Sequence, residues 1–311
     1  GSVFVYRFDG SAWVQDARLS ASDAAPGDEL GRSVAVVGDR VIASAIFTDA
    51  PLYSSGAVYV FDRQSTSVWK QTAKILSPKP ESLGQFGHAV HWTGSELWVG
   101  SLIADTWKPN TGAVYRFKEI EPGKWSNVGV LGPKSPVGSS PYFGSAIASH
   151  GDLAIIGAKG EDAALVFHRV SPDVWSQVAK LTDPKGDPSD WFGSAVAVST
   201  GFAVVGAPRD EPFGYKSGSA FLFALGPDLN NNGLMDPCEC PGDLNKDWIV
   251  DQADLGLLLA NWGCTGGLGY DPSKKPCPGA QTGCCGDLDA DGDVDQADLG
   301  VMLQNFGNVC P

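Results

Sequence analysis

Short apolar runs, broken by glycine and by two-residue turn pairs, fill the first two-thirds of the chain. The run Gly1-Ser2-Val3-Phe4-Val5-Tyr6 returns as Gly56-Ala57-Val58-Tyr59-Val60-Phe61 and as Gly112-Ala113-Val114-Tyr115-Arg116-Phe117. It returns twice more, as Asp162-Ala163-Ala164-Leu165-Val166-Phe167 and Gly218-Ser219-Ala220-Phe221-Leu222-Phe223, so starts lie 55, 56, 50 and 56 residues apart. After each of the first four runs comes a tryptophan (Trp13, Trp69, Trp125, Trp175) that opens a second apolar run. A glycine-centred stretch follows, at Leu30-Gly31, Phe86-Gly87, Phe143-Gly144 and Phe192-Gly193. Seven residues further on stand the turn pairs Gly38-Asp39, Gly94-Ser95, Gly151-Asp152 and Thr200-Gly201. Such pairs supply the positive φ that tight hairpins need. The fourth run reaches Ser44, Gly100, Gly157 or Gly206, always 13 residues after the glycine of the third. Constant spacing inside this hairpin, with length changes confined to loops, is what a fixed strand register requires.

Four short strands per 50–56 residues, β-branched and aromatic with turns between, describe a β-propeller blade. The fold class expected for residues 1–225 is therefore mainly β, with four propeller blades. The recurring Trp and Phe read as inter-blade core rather than ligand platform. The Gly-x-Val-Tyr strand occurs five times and its companions four times each, so an open arc is expected rather than a closed ring.

The pattern changes near the C-terminus. Gly242-Asp243-Leu244-Asn245-Lys246-Asp247-Trp248-Ile249-Val250-Asp251-Gln252-Ala253-Asp254-Leu255-Gly256 returns 44 residues later from Gly286 to Gly300, with no internal gap. In both copies oxygen side chains fall at loop positions 1, 3, 5, 9 and 12, the spacing that wraps one Ca²⁺. The first set is Asp243, Asn245, Asp247, Asp251 and Asp254; the second is Asp287, Asp289, Asp291, Asp295 and Asp298. Position 7 supplies a backbone carbonyl, from Ile249 or Asp293. Carboxylates packed this closely repel one another unless a cation neutralises them. An acidic solvated loop is the alternative for one copy, and it explains two matching copies poorly. Behind each loop, Leu255, Leu258, Leu259 and Trp262, and again Leu299, Met302, Leu303 and Phe306, fall on one face of a short helix. Gly263 and Gly307 stand where each helix would close. Between the two modules, residues 226–241 contain Asp228, Asn230, Asn232, Asp236 and Glu239 at the same spacing, with Gly233 at position 6. These read as a third Ca²⁺ loop or as an Asn/Gly-rich turn.

Charge follows this division. Residues 1–225 hold 22 acidic and 19 basic side chains, whereas residues 226–311 hold 14 and 3, so the formal charge of −14 is concentrated on the loops. Such a surface makes nucleic acid an unexpected partner. No apolar run is long enough to span a membrane. All seven cysteines (Cys238, Cys240, Cys264, Cys277, Cys284, Cys285, Cys310) lie in the C-terminal segment. This density points to disulfides and an oxidising, extracellular or cell-surface location, with zinc at Cys277, Cys284 and Cys285 as the rival reading. Residue 1 is not Met and already belongs to a repeat strand, so a longer protein with its targeting segment upstream is expected. No catalytic motif is visible: His88, His91, His150 and His168 are scattered, and the paired carboxylates are committed to the loops. The expectation is a non-enzyme.

The order Phe192-Gly193 then Gly206-Ala207-Pro208 resembles the FG-GAP repeat, which builds the seven-bladed propeller at the head of integrin α subunits and in many bacterial surface proteins. The resemblance spans residues 1–225 and implies a seven-bladed parent and a binding or adhesion role. Leu30 replaces Phe and Ser44 replaces Gly in the first unit, and no unit carries the Asp-x-Asp-x-Asp-Gly loop of integrin blades, so that calcium site is not carried over. Residues 242–311 resemble a type I dockerin, an EF-hand-like module that docks into cohesin domains by two Ca²⁺-loop–helix repeats. This implies a cohesin-like β-sandwich as partner, met through Gln252, Ala253, Gln296 and Ala297 at loop positions 10 and 11. It departs from the pattern at Trp248, which stands at loop position 6 where glycine permits the sharp turn. A ligand of the propeller, protein or glycan, is left unnamed. The other function class carried forward is an accessory component of an extracellular polysaccharide-degrading assembly, since dockerins commonly append such proteins to it.

Overall fold

The computed structural model describes residues 1–105, 110–134, 141–184, 189–199, 202–224, 252–260 and 296–305. It divides into two units, Gly1–Phe223 and Ala224–Pro311.

The first unit is built from five antiparallel sheets. One pairs β1 (Val3–Phe8) with β2 (Trp13–Leu19). The second is the meander β3 (Val34–Val37), β4 (Arg40–Ala45), β5 (Ala57–Ser65) and β6 (Val68–Leu76). The third runs β7 (Val90–Trp92), β8 (Leu97–Ser101), β9 (Ala113–Glu121) and β10 (Lys124–Leu131). The fourth runs β11 (Phe143–His150), β12 (Leu153–Ala158), β13 (Ala163–Ser171) and β14 (Val174–Thr182). The fifth holds β15 (Ala195–Val198), β16 (Phe202–Ala207) and β17 (Ser219–Ala224). By strand type this is a four-bladed propeller arrangement plus one additional third strand, β1. That strand pairs with β2, and not with the fifth sheet.

One register device recurs in every unit. The pairing of third and fourth strands slips at Val5/Tyr6, at Val60/Phe61, opposite Arg116 and Phe117, and at Val166/Phe167. A bulge at this point adds right-handed twist, which lets flat strands fan into blades. The first strands of successive sheets lie side by side, β3 against β7, β7 against β11 and β11 against β15.

The Phe-Gly pair works through backbone geometry. The residue before it has positive φ in all four units, at Glu29 (57°), Gln85 (51°), Tyr142 (52°) and Trp191 (59°). The glycine after it has φ near 91–100° at Gly31, Gly87, Gly144 and Gly193, a region that disfavours a side chain. Between these two left-handed residues the large ring turns into the interface: Phe86, Phe143 and Phe192 are fully buried, and Leu30 nearly so. The glycine of the second strand is demanded by the neighbouring sheet. A Cβ on Gly100 would lie 2.2 Å from the Gly144 carbonyl oxygen, and one on Gly157 would lie 1.9 Å from that of Gly193. The Phe-Gly of one blade therefore rests on the second-strand glycine of the blade before it.

Cores form between sheets. Ile42, Val58 and Val60 of the second sheet pack with Phe86, Tyr115 and Phe117 of the third. Trp98 and Val114 of the third pack with Phe143, Ile156 and Leu165 of the fourth. Trp69, Trp125 and Trp175 pack at the margins of these clusters, as expected of inter-blade residues. Trp13 does not. It is 71% exposed, because the described residues place no sheet in front of the first one. Tyr6 on the same sheet is 54% exposed, whereas Phe61, its counterpart in the second sheet, is buried. At the other end Leu222 is 66% exposed, whereas its counterpart Val60 is buried.

One buried ion pair stiffens the third sheet. Arg116 donates to Glu96 through Nε (2.8 Å) and an η nitrogen (2.9 Å), and Trp98 Nε1 donates to the same carboxylate at 2.9 Å. Burial alone would raise the Glu96 pKa, but the bonds from Arg116 and Trp98 outweigh it and hold the carboxyl below its ordinary range.

In the second unit the structure describes two helices, α1 (Gln252–Ala260) and α2 (Gln296–Asn305), each starting where the sequence spacing puts it. No helix among the described residues is long and apolar enough to cross a membrane.

Candidate functional site

Four blades converge on one cavity of about 520 Å³. The residue that follows each Phe-Gly or Leu-Gly glycine lines it: Arg32, His88, Ser145 and Ser194, one from each of the second to fifth sheets. The left-handed glycine before each of them turns the chain from the interface toward the axis. Lys159, which stands in the position of the proline in Gly-Ala-Pro, and Trp191 also line it.

The charge balance here departs from the rest of the unit. Elsewhere cations sit on carboxylates: Arg40 bonds Asp62 and Glu119 at 2.6 Å each, and Lys74 lies 2.5 Å from Asp23. Around the cavity no carboxylate of the described residues ion-pairs with Arg32, Lys159 or Arg209, and none lines the wall. Lys159 Nζ lies 3.5 Å from His88 Nε2 and 5.5 Å from the Trp191 ring centroid. Arg209 stacks on the same indole, its Cζ 3.1 Å from the centroid. Burial, with help from Lys159 and Arg32, lowers the His88 pKa to about 3, so the imidazole is neutral. Burial, then Arg32 and Arg209, lowers Lys159 from its ordinary value. With Nε2 facing an ammonium that can only donate, the proton of neutral His88 belongs on Nδ1, which is buried and has no hydrogen-bond partner. His91, three residues on, bonds instead to Ser149 Oγ at 2.7 Å, so the two histidines share no site.

The loop ligands Asp243, Asn245, Asp247, Ile249, Asp251, Asp287, Asp289, Asp291, Asp293 and Asp295 lie outside the described residues. So do Asp228, Asn230, Asn232, Asp236, Glu239 and all seven cysteines. Asp254 and Asp298 fall within the first turns of α1 and α2. Among the described residues no group of three or more His, Cys, Asp or Glu is placed to hold a metal ion. The helices behind the loops carry matching burial. Leu258 and Met302, 44 residues apart, are fully buried; Leu259 and Leu303 are 52% and 56% exposed; Gln252, Ala253 and Gln296 are exposed. Of the apolar face expected on each helix, Leu259 and Leu303 thus remain half in solvent. Trp262 and Phe306 fall beyond the helices and outside the described residues.

Comparison with known families returns one match, to residues 13–61 and 175–223. Both stretches match the FG-GAP repeat. Each runs from the tryptophan of one blade's fourth strand through the third strand of the next blade, which is the unit the Phe-Gly and second-strand glycine contacts define. FG-GAP repeats are typical of extracellular proteins and generally build non-enzymatic binding folds. No curated protein matches the chain. Among solved structures, the computationally designed Ika8 protein is 11% identical, with TM-score 0.38, over 63% of this chain and 45% of that one. The designed Ika4 protein is 15% identical, with TM-score 0.39, over 68% of this chain and 97% of that one. A protein provisionally named a 6-phosphogluconolactonase, from Bacteroides uniformis, is 12% identical, with TM-score 0.48, over 71% of this chain and 59% of that one. The chain thus spans less than half the length of the first of these, and likeness at these TM-scores carries no inference about its activity.

Proposed function

We propose that this chain is a secreted or cell-surface, non-catalytic binding protein. Its FG-GAP propeller captures a ligand, and its C-terminal segment is a Ca²⁺-dependent, dockerin-like tether. The observation that carries the tether is the 44-residue repeat. Two helices begin at the same residue of each copy, Gln252 and Gln296, and bury the same position behind it, Leu258 and Met302. An identical Gln-Ala pair at loop positions 10 and 11 has no duty as a side-chain metal ligand, so its repetition fits a docking role. Two like faces accept one cohesin-like β-sandwich in two orientations, one at a time. The exposed faces of the first and fifth sheets fit blades of a larger, seven-bladed ring packed on both sides.

The test is capture of a cohesin-type domain by the full chain, with Ca²⁺ and with a chelator. Changing Gln252 and Ala253 to arginines leaves affinity within a few-fold, as does the same change at Gln296 and Ala297. Both together abolish capture. Loss of capture from either single-site change, or capture in chelator, would falsify the two-faced plug.

A further inference from the structure

We infer that the cavity at the centre of the four blades binds a sugar acid, a polyhydroxy compound bearing a carboxylate. The assignment rests on reading the propeller as a binding module, and it follows from the hydrogen-bonding and charge capacity that the cavity walls leave unused.

Consider the cations first. Arg32 and Lys159 line the wall, and Arg209 stacks on Trp191 beside Lys159. In a chain with formal charge −14 that pairs other cations of this unit with carboxylates, these have none among the described residues. Like charges this close repel one another, and a bound anion removes the repulsion.

The serines demand the opposite of their ligand. Ser145 Oγ donates its hydrogen to the Gly193 carbonyl at 2.9 Å, and Ser194 Oγ donates to the Trp191 carbonyl at 2.7 Å. Each hydroxyl has a single hydrogen, so a lone pair that meets a ligand does so only as an acceptor, and Ser194 Oγ is the more exposed of the two. A ligand that satisfies them must bring O–H donors. A simple carboxylate meets the cations and leaves the serines unused, whereas a neutral sugar meets the serines and leaves the cations unpaired. A hexuronate or aldonate meets both, and 520 Å³ accommodates a ligand of that size.

The experiment is calorimetric titration of the full chain in Ca²⁺ with D-galacturonate and trigalacturonate. Parallel titrations use galacturonate methyl ester, galactose, inorganic phosphate and an acidic peptide. The acids bind saturably; the ester and galactose, which lack the charge, bind at least tenfold more weakly. Lys159→Met weakens the acids at least tenfold without lowering the thermal midpoint, because it also removes the repulsion from Arg32 and Arg209. Ser194→Ala weakens the sugar acids several-fold and leaves any phosphate binding unchanged. The inference is overturned if no uronate or aldonate saturates the chain, if Lys159→Met binds as tightly as wild type, or if phosphate or the peptide binds more tightly than the sugar acids. Loss of sugar-acid binding with cohesin capture intact overturns the ligand and not the tether. The reverse result overturns the tether alone.

Discussion

Gly157 and Gly206 occupy the same position in successive blades, yet replacing each with alanine should have opposite effects. A Cβ on Gly157 would sit 1.9 Å from the Gly193 carbonyl oxygen and 2.7 Å from Ser145 Oγ. Relief requires the fourth and fifth sheets to separate, because the closest atom belongs to backbone. Overpacking costs about 1–3 kcal/mol, and a 1.9 Å approach to a backbone oxygen belongs at its upper end, about 2–3 kcal/mol, against about 0.4–1 kcal/mol gained by stiffening the unfolded chain. A Cβ on Gly206 would meet nothing nearer than Ala195 Cβ at 3.4 Å, on its own sheet. There the unfolded-state term stands nearly alone, so Gly206→Ala is neutral or stabilises by about 0.5 kcal/mol. For a unit of this size, with about 2–4 °C per kcal/mol, Gly157→Ala lowers the midpoint by roughly 2–10 °C and Gly206→Ala raises it by about 1–2 °C. Scanning calorimetry of the propeller transition at fixed Ca²⁺ reads both. Equal losses in the two variants refute the open fifth face, and an unchanged midpoint for Gly157→Ala refutes the contact geometry.

Further outcomes follow from the structure and, for the calcium loops, from the sequence spacing. Arg116→Met strands Glu96 in the third sheet and should cost about 3 kcal/mol in urea denaturation, since it leaves a buried charge without its main partner. Because the Glu96 pKa is depressed on folding, its contribution is complete above the unfolded carboxylate value and fades as pH falls below about 4.3; a Glu96→Gln chain lacks that component of the acid limb. His88, at about 3 in the folded chain, takes up a proton on unfolding between there and about 6.5. Stability should therefore decline as pH falls from 7 to 5, with a slope contribution approaching about 1.4 kcal/mol per unit that His88→Gln removes; identical slopes in the two proteins would count against the buried neutral imidazole. Chelation should erase the helical circular dichroism of residues 242–311. The Asp287–Asp298 loop, with Gly292 at its turn, should bind Ca²⁺ more tightly than the Asp243–Asp254 loop with Trp248; equal affinities by calorimetry refute that ranking.

Much of the architecture was readable from spacing alone. The five-against-four strand count anticipated an arc with one unmatched strand, because each run is local and its turn residues mark it; that the strands divide into a two-stranded first sheet, three complete sheets and a three-stranded fifth came from the structure. Burial of Phe86, Phe143 and Phe192 followed from their recurrence. Trp13 shows the limit of that logic: the repeat puts it in an interface, and only the neighbour decides whether the interface exists. The cavity escaped notice for a related reason. Arg32, His88, Ser145 and Ser194 share a repeat position but not a residue type, so a search for identical side chains passes over them. Aligning the units by their Phe-Gly glycines and reading the next residue down the column would have found all four. The calcium loops rest on sequence spacing throughout, and the two helices fall where that spacing ends.

That column of four unlike residues separates two jobs that share a few atoms of backbone. The ring and glycine hold one blade to the next, while the residue after them lines the axis, and Ser145 also reaches across the joint to the Gly193 carbonyl. At positions 32, 88 and 194 a blade therefore contributes a replaceable letter to the binding surface, whereas a change at 145 also removes a bond between blades. A repeat built this way can drift toward a new ligand one blade at a time without passing through an unfolded intermediate sequence. Grafting new residues at 32, 88 and 194 is accordingly the route by which selection, or an experimenter, would redirect the chain.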